Sequence, residues 1–89
     1  MKELDELGQR VRRHRIALGI KQKDLASKAA VSLDVISALE NGRSIGTASL
    51  ARIFRGLGLR DTLIDMLPAP TVSPIDLQKL AGKQRQRVR

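Results

Sequence analysis

The side chains that could do chemistry in this 89-residue chain are concentrated between Lys21 and Ser44, and they donate and accept hydrogen bonds. There is no Cys, no glycine-rich phosphate loop and no spacing that suits a metal, and nothing places a base beside a nucleophile. His14 is the single histidine. It could be a pH sensor or a ligand, but without a second His or a Cys an ordinary place on a helix surface, or a half-buried one, is favoured. We therefore expect a binding protein without catalysis, metal or cofactor.

Hydrophobic periodicity places these side chains on two short helices. Apolar residues recur at helical spacing in residues 22–29 and again in residues 33–41, and a polar break at Val31-Ser32 separates the two runs. Two such helices joined by a turn of three or four residues form a helix-turn-helix. Ser32 can cap the second helix by accepting from a backbone N–H, and Gly42 can end it in a left-handed conformation.

Three further helices complete an all-α domain around this pair. With one Phe and no Trp or Tyr, its core must be aliphatic, and the chain length suits one domain. Gly19 should end the first helix and Thr47 should cap the fourth. The five helices are predicted near residues 4–18, 22–29, 33–41, 47–57 and 61–67.

The stretch from Gln22 to Gly42 resembles the helix-turn-helix of the phage-repressor family of bacterial regulators, also called the Cro/CI or XRE family. The similarity extends to about Leu67 and rests on Arg15, Gly19, Gln22, Leu25, Ala26, Val31, Ser32, Ile36 and the run Leu39-Glu40-Asn41-Gly42. Two positions depart from the pattern. Ala30 stands where the family usually has the turn glycine, and Lys21 replaces a capping residue, which Asp24 partly offsets through the helix dipole. The resemblance implies a five-helix, repressor-like domain that binds double-stranded DNA.

The resemblance assigns base readout to four positions on the exposed face of the third helix: Leu33, Asp34, Ser37 and Ala38. None of them is Gln or Arg, so the commonest bidentate contacts to adenine and guanine are missing. Leu33 and Ala38 could pack on thymine methyl groups, or they could be bystanders. Asp34 could accept from cytosine N4 or serve only the helix dipole, and Ser37 could bond to several bases.

Contacts with DNA phosphates are expected at the ends of the two helices. Gln22 opens the second helix, where backbone N–H groups and its carboxamide can converge on one phosphate. Asn41 and Arg43 lie at the far end of the third helix and in the loop after it, regions that family members use on the DNA backbone. Further candidates, for which plain solvated surface is the alternative, are Lys21, Lys23, Ser32 and Ser44.

Arg15 has two interpretations. It can contact a phosphate, or it can be the buried partner of Glu40. The resemblance favours the second, because both positions match the family pattern. A planar guanidinium also suits a bidentate pair with a carboxylate, so we predict a structural ion pair between them.

The formal net charge of +8 indicates a polyanionic partner, which could be DNA, RNA or an anionic membrane surface. Residues 79–89 hold five Lys or Arg and no Asp or Glu. We predict a globular domain at residues 1–67 and a tail at residues 68–89 that consists of a proline-containing linker, a short helix and a basic end. Residues 73–81 would dock on a protein partner or the neighbouring subunit while the basic end adds attraction to DNA. A solvated tail is the alternative.

These features together predict a sequence-specific repressor that binds a palindromic operator as a homodimer. The dimer interface is expected among apolar residues that exceed what a short terminal helix needs for the core: Leu59, Leu63, Ile64 and Leu67.

The small size resembles an autoregulating antitoxin that pairs with a toxin, while a mobile-element repressor and a restriction–modification controller are alternatives. A protein-interaction module and an RNA-binding protein are alternatives from other classes, although the lack of stacking aromatics argues against RNA. With no signal peptide and no transmembrane run, we expect the bacterial cytoplasm, at the nucleoid.

Overall fold

The computed structural model describes residues 1–67 and Ala69. The predicted docking segment 73–81 and the basic end of the chain lie outside these residues. Five α-helices and no strand form within the described part. They are α1 (Lys2–Ala17), α2 (Gln22–Ala29), α3 (Leu33–Glu40), α4 (Thr47–Gly56) and α5 (Arg60–Asp65). The predicted all-α class with five helices is confirmed, and the helix boundaries differ from the predicted ones by up to two residues.

Three of the predicted helix ends are built as the sequence indicated. Gly19 follows α1 with φ 72°, and Gly42 follows α3 with φ 77°, so both occupy the left-handed region that favours glycine. At the start of α3, Ser32 Oγ accepts a hydrogen bond from the Val35 N–H over 3.3 Å. That bond satisfies one of the N–H groups that lack an intrahelical partner.

The backbone conformation of the turn before α3 and the caps of α2 and α4 are established by the structure. Thr47 was predicted to cap α4, but it is the first residue of that helix, and Gly46 occupies the capping position. Ala30 adopts the left-handed conformation at φ 55°, which costs about 1 kcal/mol relative to glycine. Asp24 compensates for Lys21 by accepting from its backbone N–H over 3.0 Å, in addition to the favourable dipole interaction.

An aliphatic core lies where α2, α3 and α4 meet the middle of α1. The largest fully buried side chains are Leu25, Ile36 and Ile53, one from each of α2, α3 and α4. Leu18 is 52% exposed, because it follows the last residue of α1 and the buried residues of that helix are Gly8 and Val11. The buried apolar residues are Val11, Leu25, Ala26, Ala29, Ile36, Leu39, Ile53, Phe54 and Leu57.

Gly8 sets how closely α1 approaches the last turn of α3. A Cβ at this position would overlap the carbonyl oxygen of Leu39 and lie 2.8 Å from that of Glu40. The backbone of α1 therefore packs directly on the backbone of α3. A glycine inside a helix lowers stability by about 1 kcal/mol relative to Ala, so a glycine at such a position indicates a packing role.

Within the described residues, no helix has the length and apolar character that crossing a membrane requires.

We expect Gly8→Ala to lower the free energy of unfolding by about 1–3 kcal/mol, because the added methyl must displace backbone carbonyl groups that cannot rotate away. This is a net effect, since the better helix propensity of Ala already offsets about 1 kcal/mol. Urea denaturation followed by circular dichroism measures the change. Gln9→Ala, at the exposed neighbouring position, is the control and should alter stability by less than about 0.5 kcal/mol. A Gly8→Ala protein as stable as wild type would contradict the close approach.

Candidate nucleic-acid interface

One face of α3 anchors the helix and the other is open to a ligand. Ile36 and Leu39 are buried in the core. Leu33 is 48% exposed, and Asp34 is exposed as well. The other two predicted base-readout residues, Ser37 and Ala38, are half-buried. Helical periodicity thus brings these four residues onto the face opposite the anchor.

The side chain of Glu40, the last residue of α3, is held by a bidentate pair with Arg15 of α1. Arg15 Nε lies 2.7 Å from Glu40 Oε2, and Arg15 Nη2 lies 3.1 Å from Glu40 Oε1. The two side chains are only 11% and 3% exposed. Arg15 Nη1 donates to the carbonyl oxygen of Ile20 over 3.0 Å. Three of the five N–H groups of the guanidinium therefore bond within the protein, and the geometry is that of the structural interpretation rather than of a phosphate contact.

Hydrogen bonding to Glu40 raises the pKa of Arg15 above its ordinary value. The negative charge of Glu40 acts in the same direction, while burial opposes both. Arg15 is thus a fixed positive charge, and Glu40 is the buried carboxylate that neutralises it.

Gln22 joins the same cluster from α2. Its Nε2 donates to Glu40 Oε1 over 3.2 Å. Because Gln22 is the first residue of α2 and Glu40 the last of α3, this bond joins the ends of the two helices. A carboxamide has two N–H donors and one acceptor oxygen, so Gln22 keeps one N–H for another partner such as a phosphate.

Asn41 and Ser37, which the sequence predicted for different roles, are bonded to each other. Asn41 Nδ2 donates to the backbone oxygen of Ser37 over 2.8 Å and lies 3.3 Å from Ser37 Oγ. The carboxamide of Asn41 therefore lies back along the exposed side of α3 instead of extending away from it.

The remaining candidates for phosphate contact are exposed around the two helix starts and the loop after α3. Within the described residues, the charged groups of Lys21, Lys23 and Arg43 form no ion pair, so their charge is available to an anion. Ser32 is already engaged as the cap of α3, whereas Ser44 lies exposed in the loop. The first N–H groups of α2 also lack intrahelical partners, which suits a phosphate.

The residues predicted for the dimer interface fall into two groups. Leu59 and Leu63 pack partly buried against the core of the domain. Ile64 and Leu67 are 60% and 81% exposed, and Met66, which was not among the predicted residues, is 69% exposed beside them. The end of the described chain thus carries an uncovered apolar surface.

His14 is exposed on α1. Among the described residues, no group of three or more His, Cys, Asp or Glu side chains is arranged to hold a metal ion.

A family model described as a helix-turn-helix domain matches residues 6–67, from the first turns of α1 to just beyond α5. No curated protein and no solved structure matches the chain.

Removing the buried carboxylate should be far more damaging than removing an exposed one. We expect Glu40→Ala to lower the free energy of unfolding by roughly 3–5 kcal/mol, because it leaves the Arg15 guanidinium buried without its counterion. Glu6→Ala is the matched control. It breaks the Glu6–Arg10 pair, which has the same 2.7 Å separation but side chains 58% and 68% exposed. Its effect should stay below about 1 kcal/mol. Equal melting temperatures for wild type and Glu40→Ala would argue against the buried pair.

Proposed function

Because the chain belongs to the family of helix-turn-helix domains, which bind DNA, we propose that it is a sequence-specific transcriptional repressor of the phage-repressor (XRE) type, acting as a homodimer on a palindromic operator. The observation that supports this most is the open face of α3. The last residue of that helix, Glu40, is hydrogen-bonded to both α1 and α2. The proposed role is one of binding, without catalysis.

In this proposal α3 enters the major groove, which is about 12 Å wide and admits a helix. Leu33 lies at its first turn and supplies an apolar contact suited to a thymine methyl group. Asp34 beside it can accept from cytosine N4, and Ala38 allows close approach of the helix to the base edges. Because Asp34 also lies in the first turn of α3, its carboxylate stabilises the helix dipole whether or not it touches a base.

Contacts with the phosphates on either side of the groove would position the domain. The remaining N–H of Gln22 and the first N–H groups of α2 suit one phosphate. Lys21, Lys23 and Arg43 add charge that is independent of sequence. This division matters because phosphate contacts supply affinity and register, whereas only the face of α3 distinguishes one sequence from another.

A single α3 contacts only a few base pairs, so operator specificity requires two copies. A two-fold dimer places two recognition helices about 34 Å apart, one turn of DNA, and therefore demands a palindromic site. The exposed Ile64 and Leu67 offer the apolar surface for such an interface, with the uncovered parts of Leu59 and Leu63 beside them. A dimer bound across a promoter would repress by excluding the polymerase.

The proposed repressor fits more than one biological setting. A DNA-binding domain with a short basic tail suits an autoregulating antitoxin that also docks a toxin through residues 73–81, in the bacterial cytoplasm at the nucleoid. A mobile-element repressor or a restriction–modification controller would use the same domain. A toxin, methylase or phage gene beside this one would decide between them.

Selection of bound duplexes from a random pool tests the proposed function directly, and wild type should select a palindromic site. Asp34→Ala or Ser37→Ala should then change which bases are preferred. Gln22→Ala or Arg43→Ala should weaken binding to all sequences alike. Filter or fluorescence-anisotropy titrations on the selected operator and on single-base variants give both quantities. A folded wild-type protein that selects no sequence would refute the repressor, and uniform effects from both sets would show that α3 is not the reading element.

Charged substitutions at the exposed end of the domain should break the dimer while sparing the core. We expect Ile64→Glu and Leu67→Glu to raise the dimer dissociation constant by about tenfold or more, because each would bury a charge in an apolar interface. Sedimentation equilibrium measures the constant. Ile16→Glu, which alters a 56% exposed apolar residue on α1, is the control and should leave dimerisation unchanged. A wild-type chain that stays monomeric at concentrations that saturate the operator would refute the dimer.

A further inference from the structure

The direction of the Asn41 carboxamide follows from what it touches. Its closest contact, at 2.8 Å, is the backbone oxygen of Ser37, which can only accept a hydrogen bond. The NH2 end of the carboxamide must therefore face Ser37. The same nitrogen lies 3.3 Å from Ser37 Oγ, so the Ser37 hydroxyl meets a donor on that side and acts there as an acceptor.

This contact constrains the proton of the Ser37 hydroxyl. A serine within a helix can donate to the carbonyl oxygen four residues earlier, which here belongs to Leu33. Within the described residues the hydroxyl makes neither that bond nor any other as a donor. The bond from Asn41 occupies one of the two lone pairs of the hydroxyl oxygen and polarises the O–H group, which favours donation of its proton to an acceptor outside the protein, on the face of α3 that carries the base-readout residues.

We propose that Asn41 is a positioning residue for base readout, acting through Ser37. By donating to the Ser37 oxygen, it makes the hydroxyl a better donor than acceptor toward DNA. In the major groove guanine, adenine and thymine present acceptors at N7, O6 or O4, whereas cytosine presents only its N4 donor. The Asn41–Ser37 pair therefore favours guanine, adenine or thymine over cytosine at the base that Ser37 faces. The inference rests on the proposed function, since it requires α3 in the major groove.

A phosphate contact by Asn41 is the competing role, and the two roles predict different measurements. A phosphate contact changes affinity for every sequence by the same factor. A positioning role changes the ratio of affinities between duplexes that differ at one base pair. A structural or phosphate role therefore leaves this ratio of affinities unchanged.

The test uses the full-length protein and the operator selected by wild type. Four variants are compared by anisotropy titration on duplexes that carry each base in turn at every operator position: Asn41→Ala, Ser37→Ala, the double variant and Gln22→Ala. Wild type should disfavour cytosine at one position of each half-site by about three- to tenfold, the worth of one hydrogen bond. Asn41→Ala and Ser37→Ala should each remove most of that ratio, and the double variant should remove no more than Ser37→Ala alone. Gln22→Ala should lower affinity and keep the ratio.

Circular dichroism establishes that each variant is folded before the ratios are compared. If Ser37→Ala relaxes one position while Asn41→Ala keeps the full discrimination there, the inference is overturned and the repressor stands. If Ser37→Ala changes no position, Ser37 reads no base and the inference is overturned too. If folded wild type selects no operator, the proposed function fails, and the inference fails with it.

Discussion

The bidentate pair of Arg15 and Glu40 is the interaction on which the arrangement of the first three helices depends. Glu40 ends α3, Arg15 lies near the end of α1, and Gln22 at the start of α2 donates to the same carboxylate. A buried ion pair gives little net stability, because desolvation offsets the attraction of the charges. The ion pair instead makes the helix packing specific, since either charge alone would be strongly unfavourable in the interior. Packings of these helices that separate the two side chains are therefore disfavoured.

Backbone packing reinforces this arrangement at the same point of the molecule. The backbone of α1 at Gly8 contacts the last turn of α3, and the ion pair with Arg15 holds the side chain of Glu40 in that turn. The other end of α3 begins at the Ser32 cap, and the middle is anchored by Ile36 and Leu39. A helix held at both ends and along one face loses little freedom when its other face meets a ligand, which favours binding by preorganisation.

The open face of α3 is short of the residues that usually read bases, because none of Leu33, Asp34, Ser37 and Ala38 has a bidentate side chain for adenine or guanine. Specificity in the proposed repressor must then come from single hydrogen bonds, from apolar contacts and from the doubling of sites in a dimer. A single hydroxyl is a weak source of specificity if it can both donate and accept. The hydrogen bond from Asn41 occupies one lone pair of the Ser37 oxygen and favours donation over acceptance.

The amino-acid sequence by itself determined the helices and most of their ends, because periodicity, the Ser32 cap and the glycines after α1 and α3 act within a few residues. It also placed the residues of α3 that share the exposed face. The Arg15–Glu40 pair was expected only from a family resemblance, since no local pattern joins residues 25 apart.

Tertiary structure alone decided the rest. It brought Gly8 against the end of α3, turned Gln22 toward Glu40, left Leu18 exposed and made Gly46 rather than Thr47 the cap of α4. Each of these depends on how closely two helices approach or where the chain enters the next one. Packing between residues far apart along the chain sets both, and a helical repeat of 3.6 residues carries no information about such contacts.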